Sequence, residues 1–530
     1  MNSSTPLDRR ELLTRALQAV AILSTSATAG VSLAGCSPSA ATSTSSTSPQ
    51  SDGPPSLRDW DRLARSLTGN LIRPANPEYA VDRLLYNSKF ADPRPSAIAY
   101  CESTDDVARC IGFVARHALQ VAARSGGHSY GGYSSCNGLV IDVSRLNSVR
   151  LSTRTDTASI GAGAQMIDVY NTLGNRGRLL PGASCPTVGI GGLTLGGGVG
   201  VFARKYGLTC DNMLGAEVVT AAGEIVKVSE NNHRDLYWAL RGGGGGNFAV
   251  VTSFEFAVHH MPTVTMFTLQ YPWHAAAHVL EGWQQWSAMM PDELWSSCQL
   301  YSQGTYGFLA QVSGVFCGSE SSLASHLTQL RSATATSPTY SRIVTSDYIN
   351  AMKDEAGCSG LSIASCHLPT SNPSGVLSRE AYSAKSSYLD GPGDSSHAAR
   401  LVEAVEHLQV VAPTLGGGLA LDAYGGVINR VAKSATAFVH RDKLACIQAT
   451  CSWSPYASAS QIAAGASWLT WLGSDVFSAS TGAYQNYIDP TLAEWQAAYY
   501  GENFDRLVKV KREVDPGNLF HFAQSIPTQV

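Results

Sequence analysis

The chain has 530 residues, 44% of them hydrophobic, which is enough to bury a large core divided between two lobes. Its 41 acidic and 37 basic residues leave a formal charge of −4. That balance supplies neither the basic field that nucleic acid needs nor a polybasic patch for a membrane surface.

Residues 1–36 read as a processing segment: Arg9 and Arg10 precede a short apolar run, and Leu33-Ala-Gly-Cys36 closes it. The paired arginines resemble a twin-arginine export signal, and the closing box resembles a lipoprotein site that would tether the chain through Cys36. Residues 37–56, rich in Ser, Thr and Pro, bury almost nothing and read as a disordered linker. Twelve cysteines occur without a Cys-x-x-Cys spacing, so the pattern is not that of a zinc protein.

Residues 57–87 are expected to hold a first helix and an irregular lead-in, followed by a buried strand at 96–100. Ser103 or Thr104 caps the next helix, with Asp105 and Asp106 favoured in its first turn and Val107, Cys110, Ile111 and Val114 on one face. Cys110 is therefore a core thiol or a disulfide partner. A strand at 120–123 then delivers Arg124-Ser-Gly-Gly-His-Ser-Tyr-Gly-Gly132. Its four glycines allow positive φ and let backbone N–H groups close on an anion such as a pyrophosphate. Arg124 would add a fixed positive charge, and His128 would face whatever the loop cradles.

Strands at 138–146 and 158–164 and a helix at 167–174 lead to a second glycine-rich loop, residues 180–192. It carries Cys185, 57 residues after His128, and continues through Gly196 and Gly198 to Asp211. Strands at 215–220 and 224–228 flank a turn and read as a hairpin. A dinucleotide-binding Gly-x-Gly-x-x-Gly between strand and helix is missing from Gly189-Ile-Gly-Gly192, so this is not a Rossmann lobe. Residues 263–479 hold seven of the ten tryptophans, a composition that suits a substrate-binding region. Trp283 and Trp286, like Trp468 and Trp471, are spaced i, i+3 on expected helices and read as core. Strand-like runs at 297–303, 306–316 and 416–424 suggest an antiparallel sheet.

The pair Arg124-Ser-Gly-Gly-His-Ser129 and Cys185-Pro-Thr-Val-Gly189 resembles the berberine bridge enzyme-like family of FAD-linked oxidases. So do Gly242–Phe256, Tyr484-Gln-Asn-Tyr-Ile-Asp489, Asn503–Lys511 and Gln524-Ser-Ile-Pro527, and the likeness spans about residues 57–530. It implies a two-lobed α+β fold of the PCMH type. An FAD-binding domain would cover 57–262, a substrate domain built on an antiparallel sheet flanked by helices 263–479, and a C-terminal segment completing the FAD domain 480–530. It also implies FAD held covalently twice, by His128 and Cys185. Cofactor contacts would come from Arg124, Ser125, Gly126, Gly127, Ser129, Thr187, Val188, Gly189, Gly191, Gly192, Gly196, Gly198, Asp211, Asn247, Val250, Val251 and Asn486, with no metal.

The same resemblance assigns proton removal from an alcohol or sugar hydroxyl to Tyr487, paired with Asp422 in Leu421-Asp-Ala-Tyr-Gly-Gly426, with Tyr484 beside them. A free phenol titrates near pH ~10, so Tyr487 must be held as tyrosinate or pass its proton on, and the charge of Asp422 would raise its pKa. Val188, three residues after Cys185, resembles the residue that marks oxygen-reactive members and implies O2 as acceptor. Two other readings stay open: a membrane-tethered flavin dehydrogenase serving a quinone or redox protein, and a carbohydrate-binding lipoprotein without turnover.

Overall fold

The computed structural model describes residues 53–478 and 482–529; the expected export signal with Arg9, Arg10 and Cys36 lies outside the described residues, as does nearly all of the linker. No helix among the described residues is long and apolar enough to cross a membrane.

The first lobe is built on two sheets. Strands β1 (Asn70–Ile72), β2 (Ala97–Tyr100), β3 (Val121–Arg124) and β4 (Leu139–Asp142) form a sheet of order β1-β2-β4-β3, in which β2, β4 and β3 run parallel. Parallel neighbours need a crossover, and the helix Thr104–His117 supplies it between β2 and β3. Ser103 caps that helix by accepting the Asp106 N–H at 3.1 Å, and Val107, Cys110, Ile111 and Val114 are fully buried. Cys110 is a core thiol beside Cys101. Because β3 is central to nothing but this crossover, its C-terminal end opens directly into the His128 loop, where open α/β sheets place ligands.

The second sheet joins β5 (Val149–Leu151), β6 (Thr157–Gly161), β7 (Met213–Val219), β8 (Ile225–Ser229) and β9 (Val250–Ala257) in the order β5-β6-β9-β7-β8, all antiparallel. The β7/β8 hairpin turns where Gly223 takes φ +80°, a value only glycine reaches cheaply.

The second lobe carries a seven-stranded antiparallel sheet: β10 (Val264–Tyr271), β11 (Leu294–Ser302), β12 (Phe308–Phe316), β13 (Tyr340–Ser346), β14 (Ala381–Leu389), β15 (Gly416–Ala423) and β16 (Ala445–Trp453). Its order is β13-β10-β12-β11-β15-β16-β14. Side chains alternate between its faces. Leu269, Cys298, Leu300, Val312, Leu419, Leu421 and Ile447 point to one face and pack with Trp283, Trp286, Leu401 and Trp468 from the covering helices. The indole N–H groups of those three tryptophans donate to Ser296 Oγ, the His326 carbonyl and the Ala404 carbonyl. They are core residues, and truncating one to alanine should cost about 3–5 kcal/mol. The opposite face is polar and turns toward the first lobe.

The C-terminal helix Phe504–Val514 returns to the first lobe. Lys511 is fully buried there, its Nζ donating to Asp515 Oδ2 at 2.6 Å and to the carbonyls of Asn247 and Phe520 at 2.7 and 2.6 Å. Asn247 Oδ1 accepts the Ile526 N–H at 2.9 Å, so both ends of the tail are fastened to the Gly242–Phe256 segment.

Candidate active site

A cavity of about 1070 Å³ lies between the two lobes, lined on one side by loops 124–132 and 183–192 and on the other by the polar face of the sheet. The loops touch each other. A Cβ on Gly126 would fall 2.8 Å from the Thr187 carbonyl oxygen and against Gly189 N, and one on Gly189 would strike Ser125. Glycine at both positions is therefore what lets two separate loops form one cradle whose exposed surface is backbone. Such a surface fits the phosphates and ribityl chain of FAD. Gly127, with φ +70°, turns the chain so that His128 faces the cavity.

His128 stacks on Tyr86 with ring centroids 3.9 Å apart, and its Nε2 lies 2.8 Å from Thr187 Oγ1. Desolvation in the cavity wall pushes its pKa down to about 3, so the imidazole is neutral and keeps a lone pair at physiological pH. Cys185 Sγ lies 3.9 Å from the same threonine hydroxyl. Thr187 is thus the hub between the two side chains that resemblance made flavin anchors, and it sits buried behind them.

Across the cavity, Tyr487 packs its ring 5.0 Å from Tyr130 and 4.9 Å from Tyr484. Burial, then the neighbouring Tyr130 and the Asp422 carboxylate, raises the Tyr487 pKa well above its ordinary value, so its hydroxyl is protonated at rest. Tyr484 differs. Its oxygen receives the N–H groups of Gly198 at 3.0 Å and Val199 at 3.2 Å and the Asn486 Nδ2 at 3.0 Å, and burial still raises its pKa. Tyr484 is spent on holding the Gly198 loop, whereas no described residue hydrogen-bonds the Tyr487 hydroxyl. Asp422 sits on β15, in register with Ser297 of β11 and Cys446 of β16, and lines the cavity with both tyrosines.

Of the expected cofactor contacts, Ser125, Gly126, Gly127, Ser129, Val188, Gly189, Gly191, Gly192, Val250, Val251 and Asn486 line the cavity. Others are placed differently. Arg124 lines it, but its guanidinium is bound to Asp142 and to the Asp82 carbonyl at 2.8 Å, so its charge is already neutralised in the protein. Asp211 lies outside the cavity and holds Arg441 through both carboxylate oxygens, at 2.8 and 2.7 Å. Asn247 serves the C-terminal tail, Gly196 abuts Asn486, and Gly198 packs on Thr209 while donating to Tyr484.

Several cavity residues escaped the sequence reading. Tyr86 and Tyr382 come from segments without a motif, and nothing in the chain flags them. Tyr130 stood in the quoted loop, two residues after His128, and could have been picked out. Its hydroxyl accepts Gln448 Nε2 at 2.7 Å, a pairing that depends on the register of β16.

The cradle, the facing sheet and the returning tail together define a two-lobed α+β FAD-binding protein. Family models agree: one described as an FAD binding domain matches residues 95–229, and one described as berberine and berberine like matches residues 483–527. The chain is 31% identical over 466 residues to the uncharacterised FAD-linked oxidoreductase YgaK of Bacillus subtilis, covering 87% of this chain and 97% of that protein. It is 32% identical over 459 residues to a chitooligosaccharide oxidase of Gibberella zeae, covering 82% and 87% of the two chains. Among solved structures, Physcomitrella patens BBE-like 1 superimposes with a TM-score of 0.80 at 28% identity, covering 89% of this chain and 99% of that one. This chain belongs to the berberine bridge enzyme-like family of FAD-linked oxidoreductases.

Proposed function

We propose that the protein oxidises an alcohol, a sugar or other secondary hydroxyl, with FAD attached through both His128 and Cys185. The observation that carries this reading is the convergence on one cavity of two anchor-type side chains around Thr187 and, opposite them, a tyrosine hydroxyl with no hydrogen-bond partner among the described residues. Bound FAD supplies a two-electron acceptor for hydride. The protein's share is to hold the substrate hydroxyl at Tyr487 and take its proton as the carbonyl forms. Since burial keeps Tyr487 protonated at rest, it acts by handing its own proton on, with the Asp422 carboxylate as receiver. Tyr130, fixed by Gln448, presses on the Tyr487 ring and limits its rotation.

Val188, next to Thr187 and three residues after Cys185, lines the cavity with a short branched side chain, which supports O2 as the electron acceptor and H2O2 as product. Export through Arg9 and Arg10 and a lipid tether at Cys36 belong to the same proposal and would place the enzyme outside the cytoplasm. Acid precipitation tests the attachment: the yellow colour should stay with the protein, and peptides bearing His128 and Cys185 should carry flavin mass. Complete release of FAD from wild-type protein would refute it. Air admitted to substrate-reduced protein should restore the colour with release of peroxide, more slowly in Val188→Leu; recovery that needs a quinone analogue would favour the dehydrogenase.

A further inference from the structure

At one corner of the cavity His128 and Cys185 face the interior, while Thr187, only 1% exposed, does not. Its hydroxyl is nevertheless the atom that both of them approach: Oγ1 lies 2.8 Å from His128 Nε2 and 3.9 Å from Cys185 Sγ. The backbone on either side of it is held from behind. The carbonyls of Pro186 and Val188 accept the N–H groups of Ile167 and Met166 at 3.1 and 2.9 Å, at the start of the helix Met166–Gly174. Thr187 Oγ1 is therefore a fixed point against which the two cavity side chains are set.

A neutral imidazole carries its proton on one of two nitrogens, and only the other can form a bond to carbon. Stacking on Tyr86, with 3.9 Å between centroids and 20° between planes, fixes the plane of the His128 ring but not which nitrogen bears the proton. Thr187 does that. Its carbonyl also accepts from the ring, and a carbonyl has no proton to give, so the nitrogen turned to Thr187 is the protonated one. Nδ1 is left with the lone pair, on a ring that lines the cavity. With Oγ1 accepting from Nε2–H, the hydroxyl keeps its own proton for the Cys185 sulfur.

We propose that Thr187 is the positioning residue for attachment of FAD: its hydroxyl holds the Nε2–H of His128 so that Nδ1 meets the cofactor, and keeps the Cys185 sulfur beside it. This rests on the reading above that both side chains bond to FAD, and adds to it what makes them ready to do so. In the first bond, Nδ1 joins a methyl carbon at the edge of the isoalloxazine. That carbon loses one hydrogen, and the imidazole loses the Nε2 proton to Thr187 Oγ1 as the hydroxyl's own proton moves on. The ring takes up two electrons and two protons, and O2 removes them as H2O2. In the second bond, the Cys185 sulfur loses its proton and replaces hydrogen on a carbon of the ring itself, and a second O2 takes the two electrons in the same way.

The test follows acid-stable flavin with time. Full-length wild type, Thr187→Val and Thr187→Ser are made under riboflavin limitation, given FAD in air, and digested so that the His128 and Cys185 peptides are weighed separately. Valine copies the shape of threonine without its hydroxyl. FAD should still bind between the loops, but the His128 bond should form more slowly by on the order of tenfold, the worth of one hydrogen bond. The Cys185 bond should slow by less, because its sulfur is the farther partner. Serine, which keeps the hydroxyl and drops the methyl, should restore both rates, and Thr187→Ala replaces the valine variant if that one does not fold. A variant without the hydroxyl that attaches FAD at the wild-type rate overturns the proposal and leaves covalent FAD standing. So does a serine variant as slow as the valine one, which would make the methyl group's packing the cause. If wild type never gains acid-stable flavin, the attachment reading fails and the proposal fails with it.

Discussion

Loops 124–132 and 183–192 line their side of the cavity with glycine backbone around the His128 and Cys185 side chains, whereas the facing sheet lines its side with side chains brought together by strand register. A backbone surface must be written as glycine at fixed short spacings, because any Cβ at Gly126 or Gly189 would wedge the loops apart. A side-chain surface is written as ordinary Gln, Ser, Thr and Tyr, any two of which can be a hundred or more positions apart. Gln448 of the sheet and Tyr130 of the opposite loop, 318 positions apart, meet only after the sheet has formed. The first wall accepts one cofactor shape, while the second can vary its residues without disturbing the fold.

The largest expected effect breaks the backbone wall. Gly126→Val should separate the loops by more than any neighbour can absorb, since the atoms it meets are backbone of Thr187 and Gly189 rather than flexible side-chain ends. Purified variant should carry almost no flavin, read as the ratio of absorbance near ~450 nm to protein absorbance, a signature of the cofactor itself. Retention of near-normal flavin would show that the cradle tolerates a side chain, and the contrast between the walls would be weaker than stated.

That contrast also explains what could be read without coordinates. The His128 and Cys185 loops, the Ser103 cap, the β7/β8 hairpin and the strands near 297–303 and 416–424 are local patterns, and the structure forms all of these elements. Arg124 and Asp211 look like cofactor ligands by neighbourhood in sequence, yet each is occupied by a partner that sequence does not reveal: Asp142, 18 positions away, and Arg441, 230 positions away. Trp283, Trp286 and Trp468, in contrast, follow the helical i, i+3 rule and were legible as core, whereas Trp471 is only partly buried against it.

A middle-sized effect probes the side-chain wall. Tyr487→Phe removes the hydroxyl that no described residue binds but keeps the ring against Tyr130 and Tyr484, so flavin content should be unchanged. Reduction by substrate should slow by a factor on the order of 10²–10⁴, the usual loss for a general base. Tyr484→Phe removes three hydrogen bonds to its oxygen instead and should loosen the Gly198 loop. Its larger consequence should be in thermal stability, with a smaller one in rate. A greater rate defect in the Tyr484 variant would move the proton-accepting role to that residue, whose oxygen already receives three donors.

The smallest effect tests how the two walls are kept facing each other. Asp168, on the first-lobe helix Met166–Gly174, accepts a hydrogen bond from His367 Nε2 at 3.0 Å, and His367 belongs to the loop that follows Ala364–Cys366 in the second lobe. Burial lowers the His367 pKa, but the Asp168 hydrogen bond and charge, joined by the carbonyls of Ile363 and Ala364, outweigh it and leave the pKa raised above 6.5. A raised histidine pKa stabilises the folded state fully below the unfolded value and loses that contribution as pH climbs through the folded one. Asp168 is 40% exposed, which screens the pair and limits it to about 1 kcal/mol or less. The unfolding midpoint of wild type should therefore exceed that of Asp168→Asn by on the order of 1 °C at slightly acid pH. That gap should close under alkaline conditions, because groups common to both proteins cancel in the difference. A gap that stays constant from acid to alkaline pH would mean that His367 does not change charge there, and that the lobes are held by packing and by other pairs such as Arg441–Asp211.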